Sequence, residues 1–258
     1  MSTERPSDRV LGDLMQALTN GAHTNHSGSE SQVVADPGRS RRKGIPEVVY
    51  APNKSIAQLE RAVTELIDPN GRVVVSRITE DETAELDAIL SELESEQLPG
   101  SWTAIFSRPG APRPSTGGRV AIFAAGTSDW PAAHEARVVA EEMGCHVDLI
   151  VDVGVAGLHR LFGPLREVLD SGVDAIVVAA GMDGALPSVM AGLVPVPVIG
   201  LPTSVGYGYG GNGQAALMSM LQSCAPGLTV VNIDNSIGAG STAALIANSV
   251  ARARSQAR

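Results

Sequence analysis

The stretch Ala175–Ala180 reads AIVVAA, a run of six apolar residues. Four similar stretches lie around it in the chain: VAIFAA (120–125), VDLIVDV (147–153), PVIGLP (197–202) and TVVNI (229–233). Short runs that are almost wholly apolar are typical of strands buried on both faces. Each run is followed by a loop of small residues and a helical pattern. This alternation predicts a doubly wound parallel α/β sheet, a Rossmann-like domain of three layers.

The residues upstream predict a second, smaller α/β domain. An apolar run at 48–50 is followed by helical patterns near 55–67 and 80–93 and by strand patterns at 73–76 and 102–106. The segment SRPGAPRPSTGGR (107–119) then contains three Pro and three Gly, which sustain neither a helix nor a strand ladder. We therefore predict a flexible lead over 1–35, a small domain over 36–107, a linker over 108–118 and a larger α/β domain over 119–258.

Composition and charge exclude several classes of function. The chain has 19 Lys and Arg against 28 Asp and Glu, so its net charge of −9 argues against nucleic-acid binding. It contains no apolar run near the roughly 18 residues of a membrane span and no basic start followed by an apolar stretch. We therefore expect a cytoplasmic protein with no membrane partner. Cys145 and Cys224 lack metal-binding spacing and are expected to be reduced thiols.

The loops that follow the predicted strands are the expected place for a ligand, because doubly wound sheets bind ligands beyond the carboxyl ends of their strands. Their glycines allow backbone N–H groups to approach an anion closely, although tight turns also require glycine. Five such loops on one edge favour a phosphate-bearing small molecule. None of them contains a GxGxxG or a Walker motif, so neither hydride transfer nor ATP hydrolysis is indicated. The loops read AGTSDW (125–130), DVGVAG (152–157), AGMDGA (180–185), TSVGYGYGGNG (203–213) and DNSIGAG (234–240).

The stretch GTSDWP (126–131) resembles the phosphate-binding turn of the PurE family, the aminoimidazole ribonucleotide (AIR) carboxylases and mutases of purine synthesis. The resemblance covers most of residues 119–245, and it implies a PurE-like domain. In that family a catalytic histidine precedes a Leu-Pro pair, whereas Ala185 stands at this position in GMDGALP (181–187). Alanine cannot relay a proton, so the usual purine reaction is expected to be absent.

A closer resemblance is to the LarB family, the pyridinium-3,5-biscarboxylic acid mononucleotide synthases of nickel-pincer nucleotide synthesis. Upstream, Asp36, Arg39, Arg42, Gly44, Pro46, Glu47 and Val48 fit a D-x-x-R-x-x-R-x-G-x-PEV pattern, so the similarity spans roughly 36–250. Asp183 departs from the glutamate expected in AGM-x-GALP and keeps only a shorter carboxylate. The stretches that carry the resemblance are DVGVAGLHR (152–160), AAGMDGALPSV (179–189), GLPTSVGYG (200–208) and LQSCAPGLTVVNIDNSIGAG (221–240).

This resemblance implies a carboxylase and hydrolase that acts on nicotinic acid adenine dinucleotide and CO₂. A thiolate adds at ring carbon 4, CO₂ adds at carbon 5, and cleavage of the phosphoanhydride releases AMP. The resemblance also implies a homo-oligomer, an octamer, with sites between subunits. No tightly bound cofactor is expected, and Mg²⁺ is a candidate aid to anhydride cleavage.

The resemblance assigns the chemistry to two residues. Cys224 is the expected nucleophile, although a lone cysteine is otherwise a small core residue. Asp183 is either the base that removes the ring proton or a ligand for a divalent metal ion. Cys145 is expected to be a core thiol, and His134 is expected on a helix surface.

The remaining candidates are expected to bind substrate, and each has an alternative structural role. Asp129 could cap a helix, His159 and Arg160 could form a surface pair, and Asp234 and Asn235 could be turn residues. A divergent purine-pathway carboxylase and a nucleotide-binding module without chemistry remain alternatives. The predicted substrate-binding residues are Gly126, Thr127, Ser128, Asp129, His159, Arg160, Gly181, Met182, Ser204, Gly206, Tyr207, Gly208, Asp234 and Asn235.

Overall fold

The computed structural model describes residues 36 and 38–257, together with Gly12 and Met15. Apart from those two residues, the predicted flexible lead over 1–35 lies outside the described residues. The chain divides into two compact units. The N-terminal unit holds the described residues up to Glu96 together with Ala104–Ala111, and the C-terminal unit holds Gln97–Thr103 and the chain from Pro112 onward.

The N-terminal unit is built on a four-stranded sheet of order β1-β2-β4-β3, in which β1 and β2 are parallel and β3 and β4 antiparallel. Ser55 and Thr79 begin its two longer helices with capping boxes. The helix predicted over 80–93 ends at Ile89, because the chain turns there and residues 94–96 pair with β4. The elements are α1 (Arg39–Lys43), β1 (Val48–Tyr50), α2 (Ile56–Asn70), β2 (Arg72–Ser76), α3 (Glu80–Ile89), β3 (Glu94–Glu96) and β4 (Thr103–Ser107).

The C-terminal unit contains the predicted parallel sheet, with strand order β6-β5-β7-β8-β9 and every neighbouring pair parallel. This confirms the doubly wound fold class. The elements are β5 (Arg119–Ala124), α4 (Trp130–Glu142), β6 (His146–Val151), α5 (His159–Asp170), β7 (Ala175–Ala180), α6 (Leu186–Ala191), β8 (Val198–Pro202), α7 (Gln214–Leu221), β9 (Leu228–Val230) and α8 (Ser236–Gln256).

Helices cover both faces of this sheet, which explains the apolar strands. Side chains alternate between the two faces of a strand, and Phe123 of β5 lies in a buried cluster with Leu161 of α5, Met190 of α6 and Met220 of α7. Helices α4 and α8 pack against each other and against β5 and β7. No helix of the described residues is long and apolar enough to span a membrane.

The last strand is shorter than the predicted apolar run. The strand predicted over 229–233 spans Leu228–Val230, and helix α7 before it spans Gln214–Leu221. The C-terminal helix α8 spans Ser236–Gln256 and buries its alanine-rich face within its own unit.

His134 is buried, and its predicted position on a helix surface is wrong. The segment Gln97–Thr103 lies against α4 in the C-terminal unit and brings Ser101 Oγ within 3.1 Å of His134 Nδ1. Thr103 Oγ1 donates to the Glu135 carboxylate over 3.1 Å. The sequence pattern of α4 alone carries no sign of this segment, because the covering residues lie more than thirty positions upstream.

Candidate active site

The strand order fixes where a ligand can bind. From β5 the chain continues to β6 on one side, and β7 lies on the other side, so the connections diverge between β5 and β7. Such a switch point leaves a crevice beyond the carboxyl ends of the two strands. A cavity of about 570 Å³ occupies this position. It is lined by Ala125, Gly126, Thr127, Ser128, Asp129, Asp152, Gly154, Val155, Ala156, Ala180, Gly181, Met182, Asp183, Ala185, Leu186 and Val205.

The loop after β5 places four predicted ligand residues at the cavity, Gly126, Thr127, Ser128 and Asp129. Thr127 and Ser128 are exposed there, in a single 3₁₀ turn that leads directly into α4. The Gly126 N–H donates to Asp129 Oδ2 over 2.8 Å and closes this turn. The structure therefore brings the two hydroxyls and the start of a helix to one wall, where they could bind an anion.

Asp129 is buried and joins two loops. Its Oδ1 accepts a hydrogen bond of 2.6 Å from Thr203 Oγ1, in the loop after β8. Burial raises the pKa of the Asp129 carboxyl, against the effect of the hydrogen bonds from Thr203, Gly126 and Gly181, and the nearby Asp234 charge raises it slightly further. Asp129 lies at the start of α4, but its side chain makes no capping hydrogen bond to that helix and instead closes the preceding 3₁₀ turn.

The loop after β7 forms the opposite wall. Met182 has a left-handed backbone, with φ of 52°, and its N–H donates to the Val205 carbonyl over 2.8 Å. Gly181 lies so close to this loop that a Cβ there would be 2.2 Å from the same carbonyl oxygen. Asp183 is exposed to the cavity, and Ala185 lines it a little further along.

The loop after β6 forms the rim. Asp152 lines the cavity, again with a left-handed backbone, and its carboxylate forms an ion pair with Arg160. Arg160 and His159 are exposed and do not line the cavity themselves. The ion pair with Asp152 places Arg160 next to the lining, at the rim of the cavity.

None of the predicted substrate-binding residues in the loops after β8 and β9 lines the cavity. Ser204, Gly206, Tyr207 and Gly208 lie beside the cavity, whereas their neighbour Val205 lines it; Tyr207 is 82% exposed. The Ser204 N–H donates to Asp234 over 2.9 Å. Asn235 accepts from the Gly238 N–H and caps α8. Asp234 and Asn235 thus both have structural partners, and their contact with the substrate stays a prediction.

Cys224 does not lie at the cavity of its own chain. It is an exposed free thiol in the loop between α7 and β9, at the amino edge of the sheet. Val198, which pairs with Leu228 just after this loop, and Pro202, which pairs with Ala180 at the cavity edge, lie at opposite ends of β8. Four residues of strand separate the two edges by about 13 Å.

Cys145 is buried, as expected for a core thiol. Its Sγ lies 3.4 Å from Asn248 Oδ1. Burial raises the pKa of the Cys145 thiol to about 11, helped by the Asp174 charge. Cys145 therefore stays protonated at neutral pH and is unsuited to act as a nucleophile.

Two family models match the chain. The model for AIR carboxylase matches residues 119–257, and the model for the LarB/PurE-like N-terminal domain matches residues 31–104. The chain belongs to the LarB family. Its C-terminal PurE-like domain makes it a carboxylase-like enzyme of the AIR carboxylase superfamily.

Similar proteins fall into two groups. The uncharacterized protein MJ0165 of Methanocaldococcus jannaschii is 40% identical over 221 residues, which cover 84% of this chain and 85% of that protein. The N5-carboxyaminoimidazole ribonucleotide mutases of Mycobacterium tuberculosis and Thermotoga maritima are 32% and 30% identical over 133 and 131 residues. These cover 50% of this chain and 71% and 74% of the mutases.

The described residues of this LarB-family chain do not form a metal centre. Within them no three His, Cys, Asp or Glu side chains converge closely enough to hold a metal ion. Asp183 alone does not make such a site, so its predicted role as a metal ligand gains no support from its surroundings.

Sequence reasoning missed Asp152, Thr203 and Val205 as parts of the site. Asp152 opens the quoted DVGVAG loop, and an acidic residue directly after a strand was the available signal. Thr203 acts through the buried Asp129, and Val205 contributes its backbone carbonyl, so neither side chain carries a signal of its own.

Proposed function

We propose that this LarB-family chain carboxylates the pyridinium ring of nicotinic acid adenine dinucleotide and cleaves its phosphoanhydride. The products are pyridinium-3,5-biscarboxylic acid mononucleotide, for nickel-pincer nucleotide synthesis, and AMP. The observation that carries the proposal is the wall after β7. It presents the Asp183 carboxylate to the cavity and has Ala185 where the purine carboxylases use a histidine.

The charge of the cavity suits a cationic ring. Its described lining includes the exposed carboxylates of Asp152 and Asp183 and the buried carboxyl of Asp129, and no Lys, Arg or His. A pyridinium carries a positive charge, so it is attracted to this lining, and the attraction is strengthened where water is excluded. The neutral imidazole of a purine precursor gains no such attraction.

The thiolate of Cys224 starts the reaction by forming a bond to ring carbon 4. The ring electrons move to the nitrogen and give a neutral dihydropyridine, whose carbon 5 is enamine-like. Carbon 5 then forms a bond to CO₂, and the Asp183 carboxylate takes the proton from that carbon. Expulsion of the thiolate restores the pyridinium. The net change is replacement of one ring hydrogen by a carboxylate, with release of a proton.

Hydrolysis of the phosphoanhydride adds one water and releases AMP. The exposed hydroxyls of Thr127 and Ser128, with the start of α4 behind them, are the groups proposed to hold a phosphate. No step is assigned to a resident metal ion, since Asp183 belongs to no group of three metal-ligating side chains among the described residues.

The thiol in this scheme comes from a second copy of the chain, because Cys224 lies at the far edge of its own sheet. The surface beside it favours such a contact. Met218 and Leu221 lie one turn apart on α7, the helix that leads to the thiol, and they expose 67% and 62% of their surface, so that one face of α7 is apolar. Patches of this kind mark protein interfaces. The assembly is therefore proposed to be a homo-oligomer, an octamer by family resemblance, with sites shared between subunits.

The test is incubation of the protein with nicotinic acid adenine dinucleotide and bicarbonate, with and without Mg²⁺, followed by mass spectrometry. We expect AMP and a carboxylated mononucleotide from the wild type and a loss of at least about a hundredfold in rate for Cys224→Ala. Cys145→Ala is the matched control and should keep activity.

Two outcomes would contradict the proposal. Conversion of aminoimidazole ribonucleotide in a parallel reaction, without carboxylation of the dinucleotide, would assign the chain to purine chemistry. Tight binding of the dinucleotide that Cys224→Ala leaves intact, with no product from either chain, would favour a binding module.

A further inference from the structure

The pair formed by Asp152 and Arg160 is too exposed to be explained by stability. The two side chains are 50% and 40% exposed. Ion pairs in contact with water contribute little to folding, because solvent screens the attraction and ordering two side chains costs entropy. Nevertheless, the backbone around the pair is shaped in two places to accommodate it.

The first place is Asp152 itself, whose φ of 64° puts it in the left-handed region. Residues other than Gly adopt this backbone region at a cost in free energy, and Asp and Asn tolerate it best. The conformation occurs directly after β6, where the chain turns to line the cavity. Strained residues cluster at ligand sites because the surrounding structure holds them in place.

The second place is Gly157, over which the Arg160 guanidinium lies. A Cβ at Gly157 would be 2.6 Å from Arg160 Nε and 2.8 Å from Nη2. Any larger residue would therefore push the guanidinium away. The guanidinium can lie here only because Gly157 has no side chain, and Asp152 binds the guanidinium Nη1 from the cavity side.

The substrate proposed above gives this arrangement a role. The described cavity lining holds three carboxyl groups and no basic side chain, yet a dinucleotide brings two phosphates and a ring carboxylate. A guanidinium has five N–H donors in a planar fork, so one contact with Asp152 leaves others for an oxyanion. Arg160 at the rim offsets the acidic lining at that point.

We propose that Asp152 and Gly157 are positioning residues, which hold the Arg160 guanidinium at the cavity rim to receive an oxyanion of the substrate. The identity of that substrate rests on the proposed function. The oxyanion is either a phosphate or the ring carboxylate, since both offer the paired oxygens that a guanidinium binds.

A double-mutant cycle separates this role from a structural one. Asp152→Gly tolerates the left-handed backbone and removes the carboxylate that accepts from Arg160. Gly157→Ala puts a methyl group where the guanidinium lies. Each should weaken dinucleotide binding by about tenfold to a hundredfold, the range for a charge-assisted contact. Asp152→Asn, which keeps one oxygen, should show an intermediate loss. In an Arg160→Ala background, neither change should weaken binding further, because the guanidinium that both residues position is absent.

Gly163→Ala is the matched control. Gly163 is an exposed glycine of α5 with open space around it, so the added methyl should leave binding unchanged. Thermal unfolding of the single variants should coincide with the wild type within a few degrees, since the pair is exposed. Losses that multiply with that of Arg160→Ala, or an early unfolding midpoint, would overturn the positioning role.

Binding is measured by calorimetry, apart from turnover, with three ligands: AMP, nicotinic acid adenine dinucleotide and its carboxamide analogue NAD. Equal losses for all three would assign the oxyanion to a phosphate, and a loss confined to the acid would assign it to the ring carboxylate. If the wild type shows no carboxylase activity but the variants bind the dinucleotide more weakly, the proposed reaction is refuted and the positioning role is kept. If the wild type is active and the variants bind as tightly as it does, the positioning role is refuted and the proposed reaction is kept. A wild type that binds none of the ligands would refute both.

Discussion

Asp129 is a buried carboxyl, which is rare for this residue type, and its hydrogen-bond partners among the described residues are neutral. Thr203 and Gly126 donate to its two oxygens and so fasten the loops after β8 and β5 to each other. Because burial favours the neutral form, the carboxyl binds a proton more tightly in the folded chain than in the unfolded chain.

The stability of the C-terminal unit should therefore depend on pH through Asp129. Its pKa is raised on folding, so its contribution is fully present below the ordinary aspartate pKa and is lost as pH rises through the raised value. Asp129→Asn turns an amide N–H₂ toward a donor and should cost about 1–3 kcal/mol at pH 4 and less at pH 7. Urea unfolding followed by tryptophan fluorescence measures this, since Trp102 and Trp130 both belong to that unit.

Asp170→Asn, at an exposed position at the end of α5, controls for the loss of one carboxylate. A cost of Asp129→Asn that increases from pH 4 to pH 7 would contradict the expected effect of burial.

At the scale of elements, the buried strands were the most predictable part of the molecule, whereas the exposed strand β3 was not predicted. Strand β7 spans the predicted Ala175–Ala180, because an apolar run between two layers of helices has polar residues only where it leaves the sheet. Helix ends were harder to predict. The pattern over 80–93 continues past Ile89, but pairing of residues 94–96 with β4 ended the helix, and that pairing depends on a strand further along the chain.

The contact between α4 and α8 depends on one small residue. A Cβ at Gly240 of α8 would lie 2.3 Å from the Ala136 carbonyl oxygen and 3.0 Å from the Ala136 Cα. The two helices can approach this closely only because Gly240 has no side chain, and both helices in turn pack on the sheet.

Gly240→Ala should therefore destabilise the C-terminal unit by about 1–3 kcal/mol, since backbone must move to admit the methyl group. Urea unfolding followed by tryptophan fluorescence provides the measurement. Gly163→Ala, in an exposed helix with open space, should leave the free energy of unfolding unchanged or raise it by up to about 1 kcal/mol. Equal effects of the two substitutions would show that the close helix contact does not limit stability.

At the scale of the whole molecule, the two residues to which the sequence assigned chemistry lie on opposite edges of one sheet. Asp183 follows β7 at the carboxyl edge, and Cys224 precedes β9 at the amino edge. A helix that follows a strand returns the chain to the starting edge, so α7 carries Cys224 away from the cavity of its own chain.

Mixed assemblies test whether the site is shared. Cys224→Ala and Asp183→Asn should each be nearly inactive alone. Equal amounts of the two, unfolded and refolded together, should regain about a quarter of the wild-type activity, because one shared site in four then combines an intact thiol with an intact carboxylate. Separately refolded variants combined afterwards are the control for exchange.

A mixture as inactive as its components would contradict a shared site. It would require that one chain supply both groups, and hence that the loop of Cys224 reach the cavity by some rearrangement of the sheet edge.

The sequence by itself determined the parallel sheet and the edge at which the cavity lies, because apolar runs and the glycine-rich loops after them are local properties of the chain. It also indicated Thr127, Ser128, Asp129 and Asp183 as residues of those loops. Only the tertiary structure decided that Asp129 is buried, that Asp152 holds Arg160 and that Cys224 lies at the other edge. Those facts depend on contacts between segments distant in sequence and on the direction in which each helix returns, and neither is encoded in a single stretch of residues.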